Sequence, residues 1–390
     1  MRRLLIPVLS VAAALSVAVG TGGCKKEGGA SSSGTVDIGE YASMTGPTAT
    51  FGQSSHEGTM MAVEEANAAG GVLGKQIKII SYDDRSDATE AVTAVQKLVS
   101  SDKVSAILGE IASKRSLAGA QPCQKAGVPM VSPASTNPTV TQVGDYIFRV
   151  CFTDDFQGKV CAQFAQKKGW KKVGVFTDVA NDYSKGLTKV FKEVYPAGGG
   201  QIVAEDTYRE GDKDFKGQLA KMKTAGVDAV FLPGYYTDVG NILRQARQIE
   251  LNVPFFGGDG WDDPQTYLNL GSIADNCFFT NHYAADDKRP EVQAFIAAYS
   301  KRYKNADGSP KIPDAMGICG YDAARVLIDA IKRAGKTDPK AIRDALANTK
   351  DFPGASGNIT IDANRNALKP IVILEFKDGK PHTVDAIAPK

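Results

Sequence analysis

A loop at residues 131–138 is rich in hydroxyl groups and is well suited to bind a small anion. It follows residues 126–130, whose composition predicts a short buried strand entered from a helix. In open parallel sheets, ligands bind beyond the carboxyl ends of the strands. There the hydroxyls of Ser135 and Thr136 and the nearby N–H groups would hold a carboxylate, as a helix N-terminus holds an anion. A proline-bracketed turn with a helix cap explains the same residues equally well.

The other reactive side chains do not form the patterns of an enzyme or of a metal site. The chain contains neither the GxSxG motif of serine hydrolases nor the HExxH motif of zinc hydrolases. Its three histidines, His56, His282 and His382, lie beside no plausible nucleophile motif, and no two cysteines form a CxxC pair. We therefore expect a protein that is not an enzyme, with no catalytic residue, no metal and no cofactor.

Export signals occupy the first residues of the chain. Residues 1–24 begin with a short basic stretch, continue with an apolar segment and are typical of a secretory signal peptide. The small residues before Cys24 resemble a lipobox, whose cysteine becomes lipid-modified, although Thr21 stands where an aliphatic residue is usual. A plain cleaved signal with a stray cysteine is the alternative. Residues 25–34 are rich in Gly and Ser and predict a flexible tether.

These features predict a protein of the periplasm or of the outer face of the cell membrane, attached to the membrane through its N-terminal lipid only. Five cysteines follow the lipobox: Cys123, Cys151, Cys161, Cys277 and Cys319. An exported chain permits disulfides. Because five is an odd number, at least one of these cysteines is unpaired or pairs with another chain.

The length of the chain favours two lobes. It has 390 residues, 43% of them hydrophobic, and a formal net charge of +2. This length exceeds that of one average domain. The near-neutral charge gives no reason to expect nucleic acid as a partner.

Two runs of alternating strands and helices agree with that expectation. The first run opens with a strand at residues 35–39 and includes residues 104–109, whose near-continuous apolar character is typical of a parallel sheet covered on both faces. The second run opens with a helix at residues 156–168 and a strand at residues 172–176. We therefore predict an α/β fold with two Rossmann-like lobes and a cleft that faces the strand ends of both.

Six short motifs stand in an order that is seen in one protein family. They are SMTGP at 43–47, SPASTNP at 132–138, FKGQL at 215–219, GYY at 234–236, LRQAR at 243–247 and GGDG at 257–260. From about Thr35 to its C-terminus the chain resembles the periplasmic leucine/isoleucine/valine-binding proteins, which are the receptors of branched-chain amino-acid ABC transporters. These are type I periplasmic binding proteins.

The resemblance implies three crossovers between the lobes. It places residues 35–152 and 283–353 in the first lobe, and residues 153–282 and 354–390 in the second.

The resemblance also implies which residues bind the charged groups of an amino acid. Ser113 matches the residue that binds the α-carboxylate, although a helix cap explains it as well. Ala134 would offer its carbonyl to the ammonium, Thr136 would bind with its hydroxyl and its N–H, and Ser135 lies between them. Asp259 occupies the position of the acidic residue that faces the ammonium, where the family also uses Glu.

Aromatic residues are implied around the ligand's side chain. Tyr183 and Tyr235 match two tyrosines of the second lobe that close over the ligand, with ordinary aromatic packing as the alternative. Phe51 replaces a tryptophan that contacts the ligand's side chain in a relative. Trp261 would line the pocket or brace the loop that carries Asp259.

The chain departs from the family at two places. The family's disulfide near the pocket is absent, since residues 85–86 and Ala112 stand where its cysteines would be. Lys114 and Arg115 stand where small hydroxyl residues are common. If either pointed into the cleft, the ligand would carry an extra acidic group; we expect instead that both form a solvated face.

The expected function is that of a monomeric extracytoplasmic solute-binding lipoprotein. It would capture an α-amino acid, branched-chain or otherwise apolar, and deliver it to the permease and ATPase of an ABC importer. A binding protein for urea or another amide, an aromatic acid or a short peptide is an alternative, as is a ligand-sensing receptor subunit.

Overall fold

The computed structural model describes residues 34–389. The predicted signal peptide, the predicted lipidation site at Cys24 and all of the predicted tether except Gly34 lie outside the described residues. In residues 34–389 no helix combines the length and the apolar character needed to span a bilayer. That same part of the chain contains no group of metal-ligating side chains that could hold an ion, and the five cysteines in it are buried and free.

The first sheet consists of five short parallel strands with helices between them. The strands are β1 Val36–Ala42, β2 Ile77–Asp83, β3 Ile107–Leu108, β4 Met130–Ser132 and β5 Ile147–Arg149, in the spatial order β2-β1-β3-β4-β5. The helices are α1 Ala49–Ala68, α2 Ala88–Ser100, α3 Ser113–Ala126 and α4 Thr139–Gln142. Ile38, Leu108 and Val131 belong to one core cluster, whereas Ile107 and Met130 belong to another. The central strand β3 and the first two residues of β4 are apolar and buried because both faces of the sheet are covered there.

The second run of alternating elements starts at the end of β5. Its strands are β6 Lys172–Asp178, β7 Gln201–Tyr208, β8 Ala229–Phe231, β9 Phe255–Gly257 and β10 Phe278–Asn281. Its helices are α5 Asp154–Lys167, α6 Asp182–Ala197, α7 Lys216–Ala225, α8 Tyr236–Gln248 and α9 Pro264–Leu270, and short 3-10 turns lie at Asp259–Trp261 and Gly271–Ala274.

The chain then returns to the first sheet. The elements are α10 Pro290–Arg302, α11 Ala315–Ala334, α12 Pro339–Ala347, β11 Phe352–Gly354, β12 Gly357–Ile361 and β13 Ala367–Leu368. Helix α11 packs closely along α1, because Gly58 has no side chain: a Cβ there would lie 1.9 Å from the carbonyl oxygen of Gly317. Strands β11 to β13 form a small antiparallel sheet, whose Ile359 and Ile361 pack into the core of the first sheet.

Two final strands, β14 Ile371–Lys377 and β15 Lys380–Ile387, complete the second sheet. Its order is β15-β14-β10-β9-β8-β6-β7, with β14 and β15 antiparallel and the other strands parallel. The chain passes between the two sheets at residues 150–153, 282–289 and 369–370. The predicted α/β fold with two Rossmann-like lobes and three crossovers is confirmed. The limits of the lobes stay a prediction. Because β12 and β13 pack on the first sheet, the final boundary between the first and the second lobe would lie after Leu368 instead of after residue 353.

Most predicted elements are present with limits that differ by a few residues. The largest differences concern the strands next to the hydroxyl-rich loop. Strand β3 comprises two of the six residues predicted at 104–109, and β4 begins at Met130 instead of ending there. The reason is that α3 continues to Ala126 and ends at Gly127, whose left-handed backbone (φ 66°) is a common helix C-cap. Elements α4, α9, α12, β5, β11, β13 and β15 were not predicted from the sequence.

Candidate ligand-binding site

A small cavity lies where the carboxyl ends of strands from the two sheets face each other. Its volume is only about 10 Å³, far below the roughly 300–1,000 Å³ of pockets for drug-sized ligands. Its lining comprises Phe51, Ile111, Ser113, Ala134, Thr136, Tyr183, Tyr235, Asp259, Gly260 and Met316. Seven of the eight predicted ligand-binding residues therefore meet in one cavity, and Ser135 is the exception.

One end of the cavity presents hydrogen-bond donors. Ser113 is the first residue of α3, and the capping position before it is held by Ala112, which makes no side-chain cap. The hydroxyl oxygen of Ser113 accepts the N–H of Asn137 at 3.2 Å, which leaves the hydroxyl hydrogen for another acceptor. The first turn of a helix also has N–H groups without helical partners, and these favour an anion. The alternative in which Ser113 caps the helix therefore has no support in the geometry.

The hydroxyl-rich loop forms the wall beside this end. Ala134 and Thr136 face the cavity, but Ser135 is turned the other way. The hydroxyl of Ser135 donates to the carbonyl oxygens of Glu110 and Ile111, at 3.0 and 2.8 Å, and so ties the loop to the end of β3. The structure does not bring Ser135 to the cavity, because its buried hydroxyl satisfies main-chain acceptors behind the loop.

Arg149 supports the same loop, and this role was not predicted from the sequence. Its fully buried guanidinium donates to the carbonyl oxygen of Ser135 and, at 2.7 Å, to that of Asn137. Burial lowers the pKa of Arg149 from its usual value. The available signal was a lone arginine inside the apolar stretch 147–152, which predicts a buried charge that needs partners.

The other end of the cavity carries a buried carboxylate. Asp259 is 3% exposed, and its two oxygens accept hydrogen bonds from Gln157 Nε2 at 2.8 Å and His282 Nε2 at 2.9 Å. Burial lowers the pKa of His282, so the ring is neutral and acts as the donor. The ring of His282 stacks on Phe152, with ring centroids 4.0 Å apart. Neither Gln157 nor His282 was predicted, since both lie far from Asp259 in sequence.

Aromatic rings close the cavity on the side of the second sheet. Tyr183 and Tyr235 are stacked, with centroids 5.3 Å apart and planes 5° apart. The hydroxyl oxygen of Tyr183 accepts the N–H of Gly260 at 3.1 Å. Phe51 meets Tyr235 edge-on at 5.7 Å from the opposite side of the cleft. Together these rings form an apolar wall between the two polar ends.

Trp261 lies outside the lining of this cavity. Its Nε1 donates to the carbonyl oxygen of Leu232 at 2.9 Å, and its side chain is fully buried. Of the two roles considered for Trp261, the geometry therefore supports bracing the loop that carries Asp259.

Direct contacts hold the two lobes together across the cleft. The hydroxyl of Tyr236, in α8, donates to the carbonyl oxygen of Pro47 at 3.1 Å. On the other side of the cavity, Asn137 Nδ2 donates to the carbonyl oxygen of Asp182 at 2.7 Å. The ring of Tyr236 also packs against Phe51, at 4.9 Å between centroids. The structure therefore has a closed arrangement of the cleft.

The expectation that Lys114 and Arg115 form a solvated face is wrong for Arg115. Lys114 is exposed, but Arg115 is 3% exposed, and its Nε lies 3.2 Å from a carboxylate oxygen of Glu110. Its Nη2 donates to Thr48 Oγ1 at 2.7 Å. Because Asp84 is a second acidic neighbour, 3.9 Å away, the charge of Arg115 is balanced within the protein and does not call for an acidic ligand.

A family model described as periplasmic binding protein matches residues 35–380. The leucine-, isoleucine-, valine-, threonine- and alanine-binding protein of Pseudomonas aeruginosa is 31% identical over 331 residues, which cover 84% of this chain and 86% of that protein. Among solved structures, the leucine-binding protein LivK of Thermotoga maritima is 40% identical with a TM-score of 0.86, covering 91% of this chain and 99% of LivK.

A second solved structure, the branched-chain amino-acid transporter substrate-binding protein LivJ of Streptococcus pneumoniae in complex with isoleucine, is 35% identical. Its TM-score is 0.85, and the match covers 91% of this chain and 100% of LivJ. A more distant solute-binding protein, from Rhodopseudomonas palustris, holds 3,4-dihydroxybenzoic acid; it is 27% identical with a TM-score of 0.81, covering 91% of this chain and 97% of that one.

Proposed function

The chain belongs to the periplasmic binding protein family, and we propose that it captures an α-amino acid with a branched-chain or other apolar side chain and delivers it to an ABC importer. Two relatives support this choice: one is a leucine-, isoleucine-, valine-, threonine- and alanine-binding protein, and the other is a leucine-binding protein. The LivJ relative was solved with isoleucine bound.

The observation that carries the proposal is that polar groups of opposite kind line one cavity. Ser113 and Thr136 offer hydrogen-bond donors, and the buried carboxylate of Asp259 lines the same cavity. An α-amino acid carries its carboxylate and its ammonium close together, and both need fixed partners when water is excluded. Bonds of this charge-assisted kind are roughly twice as strong as neutral ones.

The wall between the two ends selects the ligand's side chain. Phe51, Tyr235, Ile111 and Met316 present apolar surface to the cavity. A hydrophobic pocket separates ligands by about 1–3 kcal/mol for each methylene that fits or fails to fit. An apolar wall of this kind favours a ligand with an apolar side chain.

The closed arrangement supports a role in transport. The contact between Tyr236 and Pro47 and the one between Asn137 and Asp182 exist only when the lobes meet. Such contacts complete the site by hinge closure around the ligand. The permease and ATPase of the importer would then distinguish the closed, loaded form from the open one.

The proposal includes the location and the state of the protein. Residues 1–24 direct export, Cys24 carries the lipid, and residues 25–34 tether the folded body to the periplasmic or outer face of the membrane. The protein acts as a monomer, and it is not an enzyme.

Calorimetry with leucine, valine, phenylalanine, benzoate and urea tests the function, together with mass spectrometry of the ligand retained by the purified protein. We expect saturable binding of leucine or valine and an amino acid in the retained fraction. The absence of heat with every amino acid would refute the proposal.

An aromatic acid is the second candidate, and the dihydroxybenzoate-binding relative favours it. A carboxylic acid without an ammonium would leave Asp259 without a charged partner in the cavity. Benzoate bound more tightly than any amino acid in the same calorimetric series would support this candidate over the first.

A further inference from the structure

One of the contacts across the cleft depends on a glycine. Asn137 follows the ligand-facing Thr136 in the first lobe, and Gly186 lies one helical turn after Asp182 in α6. The Nδ2 of Asn137 donates to the carbonyl oxygen of Asp182 at 2.7 Å. A Cβ built on Gly186 would lie 2.7 Å from the same nitrogen, well inside the roughly 3.5–4.0 Å at which non-bonded heavy atoms pack. The missing side chain of Gly186 therefore makes room for the amide.

No described residue of the second lobe requires a glycine at this position. Gly186 lies inside a helix of 16 residues, where glycine is less favourable than alanine, and its φ is not positive. Outside Asn137, the nearest atom to the built Cβ is Asp154 Oδ2 at 3.5 Å, which is an ordinary contact distance. The neighbour that explains the glycine therefore belongs to the opposite lobe and reaches it only when the cleft is closed.

The side chain of Asn137 is held in place and is not free to turn away from Gly186. Its Oδ1 accepts the N–H of Thr139 at 3.0 Å and the Thr139 hydroxyl at 2.6 Å, which fixes the orientation of the amide. The N–H of Asn137 donates to Ser113 Oγ at 3.2 Å, and its carbonyl oxygen accepts from Arg149 Nη2 at 2.7 Å. Asn137 is thus anchored in the first lobe with its Nδ2 directed at α6.

The two ends of this contact are chain neighbours of residues that line the cavity. Thr136 precedes Asn137, and Tyr183 follows Asp182. A shift of the Asn137 amide relative to α6 therefore changes the separation between the hydroxyl-rich loop and the tyrosine ring that faces it.

We propose that Asn137 and Gly186 form a closure latch that sets how tightly the lobes hold a ligand. The amide of Asn137 passes over the bare backbone at Gly186 and reaches the carbonyl of Asp182, which brings Thr136 and Tyr183 to their final separation. This is a late step of hinge closure around the ligand. Asn137 and Gly186 are positioning residues, since neither lines the cavity. The inference rests on the proposed function.

Gly186→Ala tests the closure latch from the second lobe. The added methyl group is expected to weaken leucine binding by about 5- to 100-fold in calorimetry, as for overpacking of a close contact. The melting temperature of the ligand-free variant is expected to stay equal or rise, because alanine is more favourable than glycine inside a helix. Gly217→Ala in α7 is the matched control: a Cβ built there meets no atom within 4 Å, so the affinity should not change.

Asn137→Ser tests the closure latch from the first lobe and supplies a rescue. Serine can still cap the N–H of Thr139, but its side chain is too short to reach Asp182, so leucine binding should weaken by about 2- to 10-fold. In the double variant the shorter side chain leaves room for the methyl group of Gly186→Ala. The affinity of the double variant is therefore expected to be within about threefold of that of Asn137→Ser alone.

Stopped-flow kinetics add a readout that damage to the fold would not reproduce. Because the latch contact forms after the ligand has entered, Gly186→Ala is expected to raise the dissociation rate of leucine and to leave the association rate within about threefold of the wild type. A loss of affinity confined to the association rate would overturn the closure latch.

Wild-type binding of leucine tests the proposed function by itself. If the wild type binds leucine and Gly186→Ala binds it within twofold, only the closure latch is overturned. Fully additive losses in the double variant, or a clear fall in the melting temperature of ligand-free Gly186→Ala, would overturn it as well.

Discussion

Asp259→Asn is the substitution that probes the ammonium end of the cavity most sharply. The change keeps the size of the side chain and removes its charge. Asn can still accept from one of the two donors that hold Asp259, Gln157 Nε2 or His282 Nε2. Alanine would leave both donors without a partner and would mix a structural cost with the loss of binding.

The expected loss follows from the burial of this carboxylate. A hydrogen bond to a charged group contributes about 1.5–3 kcal/mol, and removing one member of a buried ion pair costs about 3–5 kcal/mol. Asp259 is 3% exposed, so solvent screening is weak and the loss lies towards the larger range. Since about 1.4 kcal/mol corresponds to a tenfold change, the affinity for leucine is expected to fall by roughly 100- to 4,000-fold.

Calorimetry with leucine measures this effect, with Asp155→Asn as the control of equal charge change at an exposed position. The melting temperature of the ligand-free protein is recorded alongside. We expect it to stay close to the wild-type value, because the neighbouring buried acid, Asp154, loses a like charge. A folded Asp259→Asn protein that binds leucine within threefold of the wild type would refute the assignment of Asp259 to the ammonium.

Three other perturbations have defined outcomes. Tyr236→Phe removes the bond to the Pro47 carbonyl across the cleft, so calorimetry should show leucine binding weakened by about 2- to 10-fold; unchanged affinity would mean that this bond does not favour closure. Arg149→Met leaves two loop carbonyls unpaired in the interior, and chemical denaturation should show a loss of about 2–5 kcal/mol in the free energy of unfolding. A hydrogen bond with Glu40 raises the pKa of His56. The resulting stabilisation is complete below about pH 6.5 and is lost as the pH rises through the raised pKa, so His56→Gln should lower the melting temperature at pH 5.5 more than at pH 9. Equal shifts of the melting temperature at both pH values would contradict this prediction for His56.

The alternation of strands and helices was sufficient to predict the fold, because parallel β–α units impose their pattern on the sequence. The limits of β3 and β4 were harder to predict. Short buried strands and the ends of helices share the same apolar residues, and only the position of Gly127 in the folded chain separates α3 from β4.

The cavity itself followed from the resemblance to a family, whereas the residues that support it did not. Ser135 belongs to the same hydroxyl-rich motif as Thr136, and no local pattern tells which of the two faces the ligand. Arg115 was expected in solvent because its acidic partners, Glu110 and Asp84, approach it only in the folded protein. Contacts of this kind join distant segments of the chain and leave no periodic signal.

Calorimetry with three ligands of one shape tests the central claim, that both charged groups of an amino acid are bound in the closed cleft. The ligands are leucine, 4-methyl-2-oxopentanoate, which lacks the ammonium, and 3-methylbutylamine, which lacks the carboxylate. We predict that leucine binds at least about 100-fold more tightly than either analogue, since each analogue leaves one end of the cavity unpaired. Binding of either analogue as tightly as leucine would contradict recognition at both ends.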